Sequence, residues 1–432
     1  MTIPQEASLF QALTLAFWRF QGLAATTLFT AVLQALEARA RAELEARFPG
    51  RFRHKGTQPR QWHLPFGHVR LPLVKLWDRV ARRTVYPLKE LLELPRRVRW
   101  CEETLLPGYR LAVIQSFRQS QKAVRGISPD GRAPSHHTVH RRFQGFAAQL
   151  DPVPDLTHRR GPKPAAYQQA DGTKLQLQAR GHTLGPTDLR LVVGSRTPFG
   201  PLEVLDYSVG DSWEAIAERL RQRFPTPPKV LVSDGEEGIP QALAGPETLP
   251  QRCLVHGRRG LPFALYQDGV KKAGQEPVKA AFERIPGLQL CQAELAHLDP
   301  TDTATLQELL EASERAVAAL KRRLPAGRFP HTRQYVLRLI DDGLAYLRHL
   351  LATGQRLPLS TNRLESIWSR VLLRIKRIGR RWSASGALHM LAACLVYALH
   401  PEHYAAVEAA VRGDTHPQVS VLITSLETAW VL

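Results

Sequence analysis

The sequence predicts an α/β protein whose core is a mixed β-sheet, with an all-helical insertion and a mostly helical N-terminal region. Short β-branched, apolar runs typical of strands cluster between residues 165 and 256 and alternate with amphipathic segments. Residues 257–355 lose these runs and show helical periodicity instead. The chain of 432 residues is long enough for two or three domains.

Charge and cysteine usage narrow the class of protein. The chain has 59 Lys and Arg against 39 Asp and Glu, a formal net charge of +20. Because the basic residues are spread through folded-looking segments, we expect a polyanionic partner, nucleic acid rather than a membrane. The alternative is a merely solvated basic surface. The four cysteines contain no Cys-x-x-Cys pair, so we expect no disulfide framework and a cytoplasmic location.

The first 150 residues form the predicted DNA-binding and oligomerisation region. Its apolar start has no basic segment before it and is interrupted by Gln11, Arg19 and Gln21, so we predict a packed or self-associating helix over 7–47 rather than a signal peptide or membrane span. Residues 51–80 are rich in Arg, His, Pro and aromatic residues and predict a small basic hairpin.

Residues 109–146 predict a helix, a polar break and a second helix, in the manner of a helix-turn-helix. Ser135 is the candidate N-cap of the second helix. That helix has one apolar face, and its other face would be free to enter a DNA groove; the alternative is an ordinary helical hairpin. The candidate DNA-contacting residues on the polar face are Arg141, Arg142 and Gln144.

Residues 151–164 are predicted to be a linker because of their prolines. The core would begin after it, at 165–256, and continue after the 257–355 insertion into C-terminal helices at 356–432. Three consecutive strands, a helix, and then strands alternating with helices is the order of an RNase H-like mixed sheet. The predicted strands are 165–171, 174–180, 189–195, 202–208, 229–234 and 252–256, with a helix over 211–224.

Three acidic residues are the candidate catalytic and metal-binding groups. Asp171 and Asp234 are each expected at the end of a strand, where ligands of open α/β sheets bind. Glu365 is expected on a helix over 359–378, beside a buried stripe that repeats at helical spacing. Carboxylate oxygens are hard ligands suited to Mg²⁺. Each has a simpler interpretation: a hairpin turn for either aspartate, or a surface ion pair for the glutamate.

Further candidates lie around these acids. A second face of the Glu365 helix is basic and is predicted to contact the DNA backbone. Cys253 and His256 could be half of a zinc site, although no second pair has zinc spacing, which favours a structural or DNA-proximal role. Asn362 is a candidate cap or brace of that helix, and Trp382 is a candidate base-stacking residue, with a core position as the alternative. The basic candidates are Arg370, Arg374, Arg377 and Arg381.

The segments ADGT, VLVSDG, QRCLVH and STNRLESIWSRVLLRIKRIGRRWSASGA resemble, in order and spacing, the catalytic core of DDE transposases of bacterial insertion sequences, most closely the Mutator-like group. The resemblance covers about residues 165–399 and extends loosely to the N-terminal half. Asp171, Asp234 and Glu365 match the acidic triad of that family, and Cys253 and His256 match its Cys-x-x-His motif. The GRRG that follows His256 departs from the basic–Asn pair often found there.

The resemblance implies a DNA transposase that holds two Mg²⁺ ions, replaceable by Mn²⁺, in its acidic triad. Its partners would be the double-stranded DNA of transposon ends and target, and it would act as a homo-oligomer on DNA. Two alternatives remain open: an RNase H-like nuclease that cuts without strand transfer, and a non-catalytic DNA-binding protein derived from a domesticated element.

Overall fold

A computed structural model describes residues 9–93, 99–153, 166–179, 182–378 and 382–412. The chain divides into two units: Met1–Gln149 with Glu402–Leu432, and Leu150–Pro401. The sequence had assigned 356–432 to the core, whereas the last described helix is grouped with the N-terminal unit. Most of the predicted linker, 154–164, lies outside the described residues.

The N-terminal unit begins with a long helix, α1 (Leu9–Arg47), followed by an antiparallel sheet. Its strands are β1 (Phe52–Leu64), β2 (Gly67–Asp78) and β3 (Arg83–Val85), in the order β1-β2-β3. Alternate residues of β2, namely Val69, Leu71 and Leu73, are buried and pack with Leu33 of α1. The hairpin predicted for 51–80 is therefore present, with a third short strand added.

The helical part of this unit differs from the sequence prediction. It contains α2 (Pro87–Leu91), α3 (Glu102–Ile114), α4 (Phe117–Ile127), α5 (His136–Ala147) and α17 (Pro401–Arg412). Three helices, not two, occupy 102–147, because Ser116 starts a new helix through a capping box with Gln119. Ser135 caps α5 as predicted, accepting a hydrogen bond from the Thr138 amide.

The second unit is built on a mixed five-stranded sheet. Its strands are β4 (Tyr167–Ala179), β5 (His182–Ser195), β6 (Glu203–Val209), β7 (Val230–Ser233) and β8 (Leu249–Arg252), in the order β6-β5-β4-β7-β8. The pairs β4–β5 and β5–β6 are antiparallel, and the pairs β4–β7 and β7–β8 are parallel. This arrangement is consistent with an RNase H-like core.

Two strand predictions were wrong. The expected strands 165–171 and 174–180 are one continuous strand, β4, because β5 pairs with it on both sides of Gly172. The last strand is β8 at Leu249–Arg252 rather than 252–256, because the chain turns into a helix directly after Arg252.

Helices cover both faces of the sheet. On one face, α6 (Trp213–Arg223) and α7 (Gly238–Leu243) pack over Ala170, Val192 and Leu231. On the other face, Val230 and Val232 join the core of a large helical segment. That segment contains α8 (Leu254–Gln267), α9 (Lys272–Phe282), α10 (Pro286–Gln289), α11 (Gln292–His297), α12 (Thr303–Arg322), α13 (Pro330–Asp341) and α14 (Ala345–Thr353).

Three more helical elements complete this unit: α15 (Asn362–Leu372), a π-helix (Leu373–Ile378) and α16 (Ala384–Leu399). Both α15 and the π-helix contact α16, and α15 also contacts β4. Among the described residues, no single helix is both long and apolar enough to cross a membrane; only α16 and α17 taken together across a bend reach that length.

Candidate active site

The neighbouring parallel strands β4, β7 and β8 are aligned so that the residues after three paired positions lie side by side. Ala170 of β4 pairs with Ser233 of β7, and Ser233 pairs with Arg252 of β8. The residues that follow are Asp171, Asp234 and Cys253. Neighbouring strands are about 4.8 Å apart, so the sheet alone brings these three backbones close together. The Cys253 amide fixes the level by donating to the Ser233 carbonyl at 2.7 Å.

Asp171 lies within β4, opposite Leu191, and the expectation that it ends a strand was wrong. Asp171 nevertheless lies beside a strand end, because the neighbouring parallel strand β7 stops at Ser233, the partner of Ala170. Since side chains alternate along a strand, Asp171 points away from the face on which Ala170 packs against α6. The Gly172 amide donates to its Oδ1 at 2.8 Å and orients the carboxylate.

The electrostatics of Asp171 link it to the other candidates. Burial, followed by the negative charge of Asp234 and a smaller effect of Glu365, raises its pKa to about 6, against the opposing effects of His256 and of the Gly172 hydrogen bond. Asp171 therefore interacts through space with the other two acids predicted from the sequence. Their mutual repulsion is the situation that a bound cation relieves.

Asp234 lies on the bend that follows β7. The Glu236 amide donates to its Oδ1 at 2.9 Å, and the Trp213 indole donates to Glu236 Oε1 at 3.0 Å, which anchors the bend to α6. Gly235 between them has a φ of +98°, and a Cβ there would lie 2.3 Å from Arg252 Nε. Glycine is therefore needed both for its conformation and for the close approach of Arg252.

Glu365 lies in the first turn of α15, next to the buried residues Leu364 and Trp368. Its Oε1 accepts a hydrogen bond from Thr361 Oγ1 at 3.4 Å. Thr361 occupies the N-cap position, whereas Asn362 is the first helical residue and is exposed. The prediction of Asn362 as the cap was therefore wrong, because the N-cap position belongs to Thr361 and Asn362 is already inside the helix. Its role as a brace stays a prediction.

Cys253 and His256 belong to the start of α8 rather than to a strand. Cys253 is the N-cap residue, and its Sγ accepts from the Thr361 amide at 3.4 Å. His256 lies one turn later, with Nδ1 3.8 Å from Glu365 Oε1. A hydrogen bond with Cys253 raises the pKa of His256, burial opposes this, and the charges of Cys253, Glu365 and Asp171 add to it. Burial would raise the pKa of the Cys253 thiol, but hydrogen bonds with His256 and Thr361 outweigh it and lower that pKa.

Lys376 is a site residue that the sequence did not single out. Its Nζ donates to Thr173 Oγ1 at 2.6 Å, two residues beyond Asp171 on β4. Burial lowers the pKa of Lys376, and the charge of Asp171 opposes that shift. Only the packing of Lys376 against β4 reveals this contact. Trp213 was missed for the same reason.

The predicted basic face of the Glu365 helix is only partly correct. Arg370 and Arg377 are exposed, but Arg374 is 1% exposed and its guanidinium lies 5.1 Å from the centre of the Trp382 ring. Burial lowers the pKa of Arg374 to about 10. The reason is the π-helix, whose wider turn moves residues after Leu372 away from the faces that α-helical spacing predicts. Arg381 lies outside the described residues.

Trp382 is buried and donates its indole N–H to the Ile375 carbonyl at 3.0 Å, while its own carbonyl accepts from the Gln178 amide at 2.8 Å. It joins the π-helix to β4, so the core position is the correct one of the two alternatives and base stacking is excluded by its burial.

The candidate DNA-contacting residues of α5 differ in their exposure to solvent. Arg141 is exposed, whereas Arg142 is half-buried in an ion pair with Glu102 of α3, and Gln144 is half-buried. The buried face consists of Val139, Phe143 and Phe146, as the sequence predicts. The part of α5 that a partner could contact is therefore smaller than the sequence predicts. Of the three candidate residues, Arg141 is the exposed one.

The donor set fits a hard divalent cation. Asp171, Asp234 and Glu365 supply carboxylate oxygens only, the ligand type that Mg²⁺ prefers. Burial, followed by the negative charges of Asp234 and Glu365, raises the pKa of Asp171 and disfavours its ionised form, which a bound cation would stabilise. The residues that would hold the ion are thus these three.

No protein-family model and no curated protein matches this chain. Among solved structures, the chain is similar to a chain described as "Drosophila P element transposase strand transfer complex". The identity is 10% and the TM-score 0.37, covering 68% of this chain and 92% of that one. A structural similarity at this level carries no information on activity or on site residues.

Proposed function

We propose that this chain is a DNA transposase of the DDE type, which cleaves transposon ends and joins them to target DNA. The observation that supports the proposal is the placement of two aspartates on neighbouring parallel strands, with a third carboxylate near enough to act on one of them. Asp171 and Asp234 follow paired residues of β4 and β7, and Glu365 acts electrostatically on Asp171. Three such groups from distant parts of a chain with net charge +20 are suited to a phosphodiester substrate.

In this proposal, Asp171, Asp234 and Glu365 hold two Mg²⁺ ions. When bound, such ions lower the pKa of a coordinated water and stabilise charge on the leaving oxygen of a phosphodiester. The chain's own hydrogen bonds fix the ligands: the Gly172 amide orients Asp171, the Glu236 amide orients Asp234, and Thr361 orients Glu365. Such preorganisation reduces the cost of assembling the site around its substrate.

Cations near the acids would position the DNA. Lys376, held at Thr173 beside Asp171, is placed to contact a phosphate close to the reacting one. Arg370 and Arg377 are exposed on the same helical segment and would contact the DNA backbone further away. Recognition of a specific end sequence is assigned to the N-terminal unit, in which Arg141 of α5 is exposed.

The proposal is tested by an end-joining assay. Full-length protein is incubated with Mg²⁺, a duplex oligonucleotide taken from either flank of the encoding gene segment, and a supercoiled plasmid. We expect a cut that leaves a 3′-hydroxyl at the element end, and covalent joining of that end to the plasmid. A pre-cut oligonucleotide whose element end terminates in a 3′-dideoxynucleotide should bind without being joined, because it lacks the attacking hydroxyl.

A matched pair of variants assigns the activity to the site. Glu365→Gln should abolish cleavage and joining, whereas Glu308→Gln, which alters an exposed carboxylate on α12, should retain both. Cutting without joining by the wild-type protein would indicate the nuclease alternative. DNA binding without Mg²⁺-dependent cutting would indicate the non-catalytic alternative. Either result would overturn the proposal.

A further inference from the structure

A second group of potential metal ligands lies beside the acidic cluster, with different donor atoms. Cys253, His256 and Glu365 each offer one atom, and these three atoms lie within 4.8 Å of one another. We propose that they form a site for a borderline-soft divalent metal ion of the Zn²⁺ class.

The fold brings these ligands together from distant parts of the chain. Cys253 and His256 lie on the first turn of α8, and Glu365 is more than one hundred residues further on. Two hydrogen bonds join the segments: the Leu254 amide donates to the Leu359 carbonyl at 2.9 Å, and the Thr361 amide donates to Cys253 Sγ at 3.4 Å. The pair seen in the sequence as half of a zinc site thus gains its third ligand from α15.

The position of His256 Nδ1 is the second, independent observation. This atom is buried and, within the described part of the chain, has no hydrogen-bond partner apart from the neighbouring Cys253, and it faces Glu365 Oε1 at 3.8 Å. That gap is too long for a hydrogen bond. Two ligands at tetrahedral angles on one zinc ion are about 3.3 Å apart, given bonds of about 2.0–2.1 Å. A small side-chain rotation would therefore let one ion bridge both atoms.

The donor set selects the kind of metal. One sulfur, one imidazole nitrogen and one carboxylate oxygen suit Zn²⁺ or Co²⁺, whereas Mg²⁺ prefers oxygen ligands alone. Three protein ligands leave a fourth tetrahedral position open, as in zinc sites that bind water or substrate. The His256 and Glu365 side chains are 28% and 32% exposed, so solvent can reach that position.

Sharing Glu365 has a functional consequence that rests on the proposed transposase activity. An ion bound by Cys253 and His256 would draw this carboxylate away from Asp171 and Asp234. Zn²⁺ would then inhibit Mg²⁺-dependent cleavage by occupying a neighbouring site rather than by replacing Mg²⁺. The binding itself requires no assumption about the activity.

Cobalt provides a direct test, because Co²⁺ bound to a thiolate gives a charge-transfer absorption band. Full-length wild-type protein without DNA is titrated with Co²⁺, and we expect this band to saturate at one ion per chain and to be lost on adding Zn²⁺. Cys253→Ser should abolish the band. Cys291→Ser, which alters an exposed cysteine elsewhere in the same unit, should retain it.

Two more variants protect the test against misfolding of Cys253→Ser. Glu365→Gln and His256→Ala keep the thiol and should each weaken Co²⁺ binding at least about tenfold, a typical loss when a metal site is perturbed, with an unchanged circular dichroism spectrum. A wild-type protein without the band, or Glu365→Gln with wild-type cobalt affinity, would overturn the proposal. Since no DNA is present, a failure of cobalt binding leaves the transposase proposal intact, and a failure of cleavage leaves this site intact.

Discussion

Asp171 and Asp234 occupy the same level of two neighbouring parallel strands, because Ala170 and Ser233, one residue earlier in each, are paired. The two residues therefore lie on adjacent backbones, although they are 63 positions apart in the sequence. Burial of Asp171, followed by the negative charge of Asp234, disfavours its ionised form in the folded protein, and this has a measurable cost in stability.

This cost predicts that Asp171→Asn stabilises the metal-free protein. The folded-state pKa of about 6 lies above the ordinary 3.8, so the stability associated with this carboxyl is complete below about pH 4 and is lost as pH rises through 6. Above pH 6, Asn should raise the free energy of unfolding by up to about 3 kcal/mol. Urea unfolding with a chelator present, at about pH 4 and about pH 8, measures the difference. An equal effect at both pH values would show that the ionised Asp171 carboxylate is not the source of the cost.

Arg370 and Arg377 should contribute to DNA affinity through the phosphate backbone. Replacing each with Gln should lower the slope of log K against log salt concentration by about 0.9, because each contact releases condensed counterions. Arg374→Gln should leave that slope unchanged. It should instead lower the free energy of unfolding by about 1–3 kcal/mol by removing packing beside Trp382. A reduced slope for Arg374→Gln would show that this side chain reaches DNA.

The neighbouring arginines of α5 should also behave differently. Arg141 is exposed, and Arg141→Ala should reduce the preference for element-end DNA over random duplex by about 1–3 kcal/mol, the value of one base contact. Arg142 pairs with Glu102, which also accepts a hydrogen bond from Tyr109 at 2.7 Å. Arg142→Ala should therefore lower the melting temperature more than it changes the preference for element-end DNA. Competition binding and thermal unfolding distinguish the two, and identical behaviour would refute the assignment.

The N-terminal helix should mediate association with a second copy of the chain. Phe10, Leu13, Phe17 and Phe20 of α1 are 59–78% exposed and follow the 3-4-3 spacing of a coiled-coil seam. Residues 9–36 contain one charged residue, Arg19. Phe17→Lys should weaken self-association at least about tenfold, equivalent to about 1.4 kcal/mol.

Sedimentation analysis of full-length protein measures this association. Gln21→Lys is the matched control, because it adds the same charge to an exposed position outside the seam. A wild-type protein that is monomeric at all concentrations, or equal weakening by both variants, would show that these exposed apolar residues do not mediate self-association.

Much of the second unit could be predicted from its sequence. The apolar runs and their intervals give a mixed sheet with a helical segment before the last acidic residue, because burial on both faces imposes continuous apolar strands. Element ends were harder to predict. Asp171 seemed to end a strand because Asp-Gly is a common turn, but pairing with β5 extends the strand through it.

The site was predicted less completely than the fold, since its details depend on contacts between distant segments. The π-helix buries Arg374 and turns Lys376 toward β4, which no α-helical periodicity reveals. The approach of Glu365 to His256 depends on hydrogen bonds between residues 253–254 and 359–361. Such features follow from packing, so local sequence patterns do not contain them.

In the proposed mechanism, Asp171, Asp234 and Glu365 form one hard-cation site for DNA cleavage. The most direct test is Mg²⁺-dependent cutting of element-end DNA by Asp234→Asn, compared with Glu308→Gln and with equal end binding shown for each. We predict that Asp234→Asn binds the end but loses cutting by at least about 10³-fold, well within the rate enhancement that enzymes provide. Glu308→Gln should cut normally. Normal cutting by Asp234→Asn would show that Asp234 does not hold a metal ion needed for cleavage.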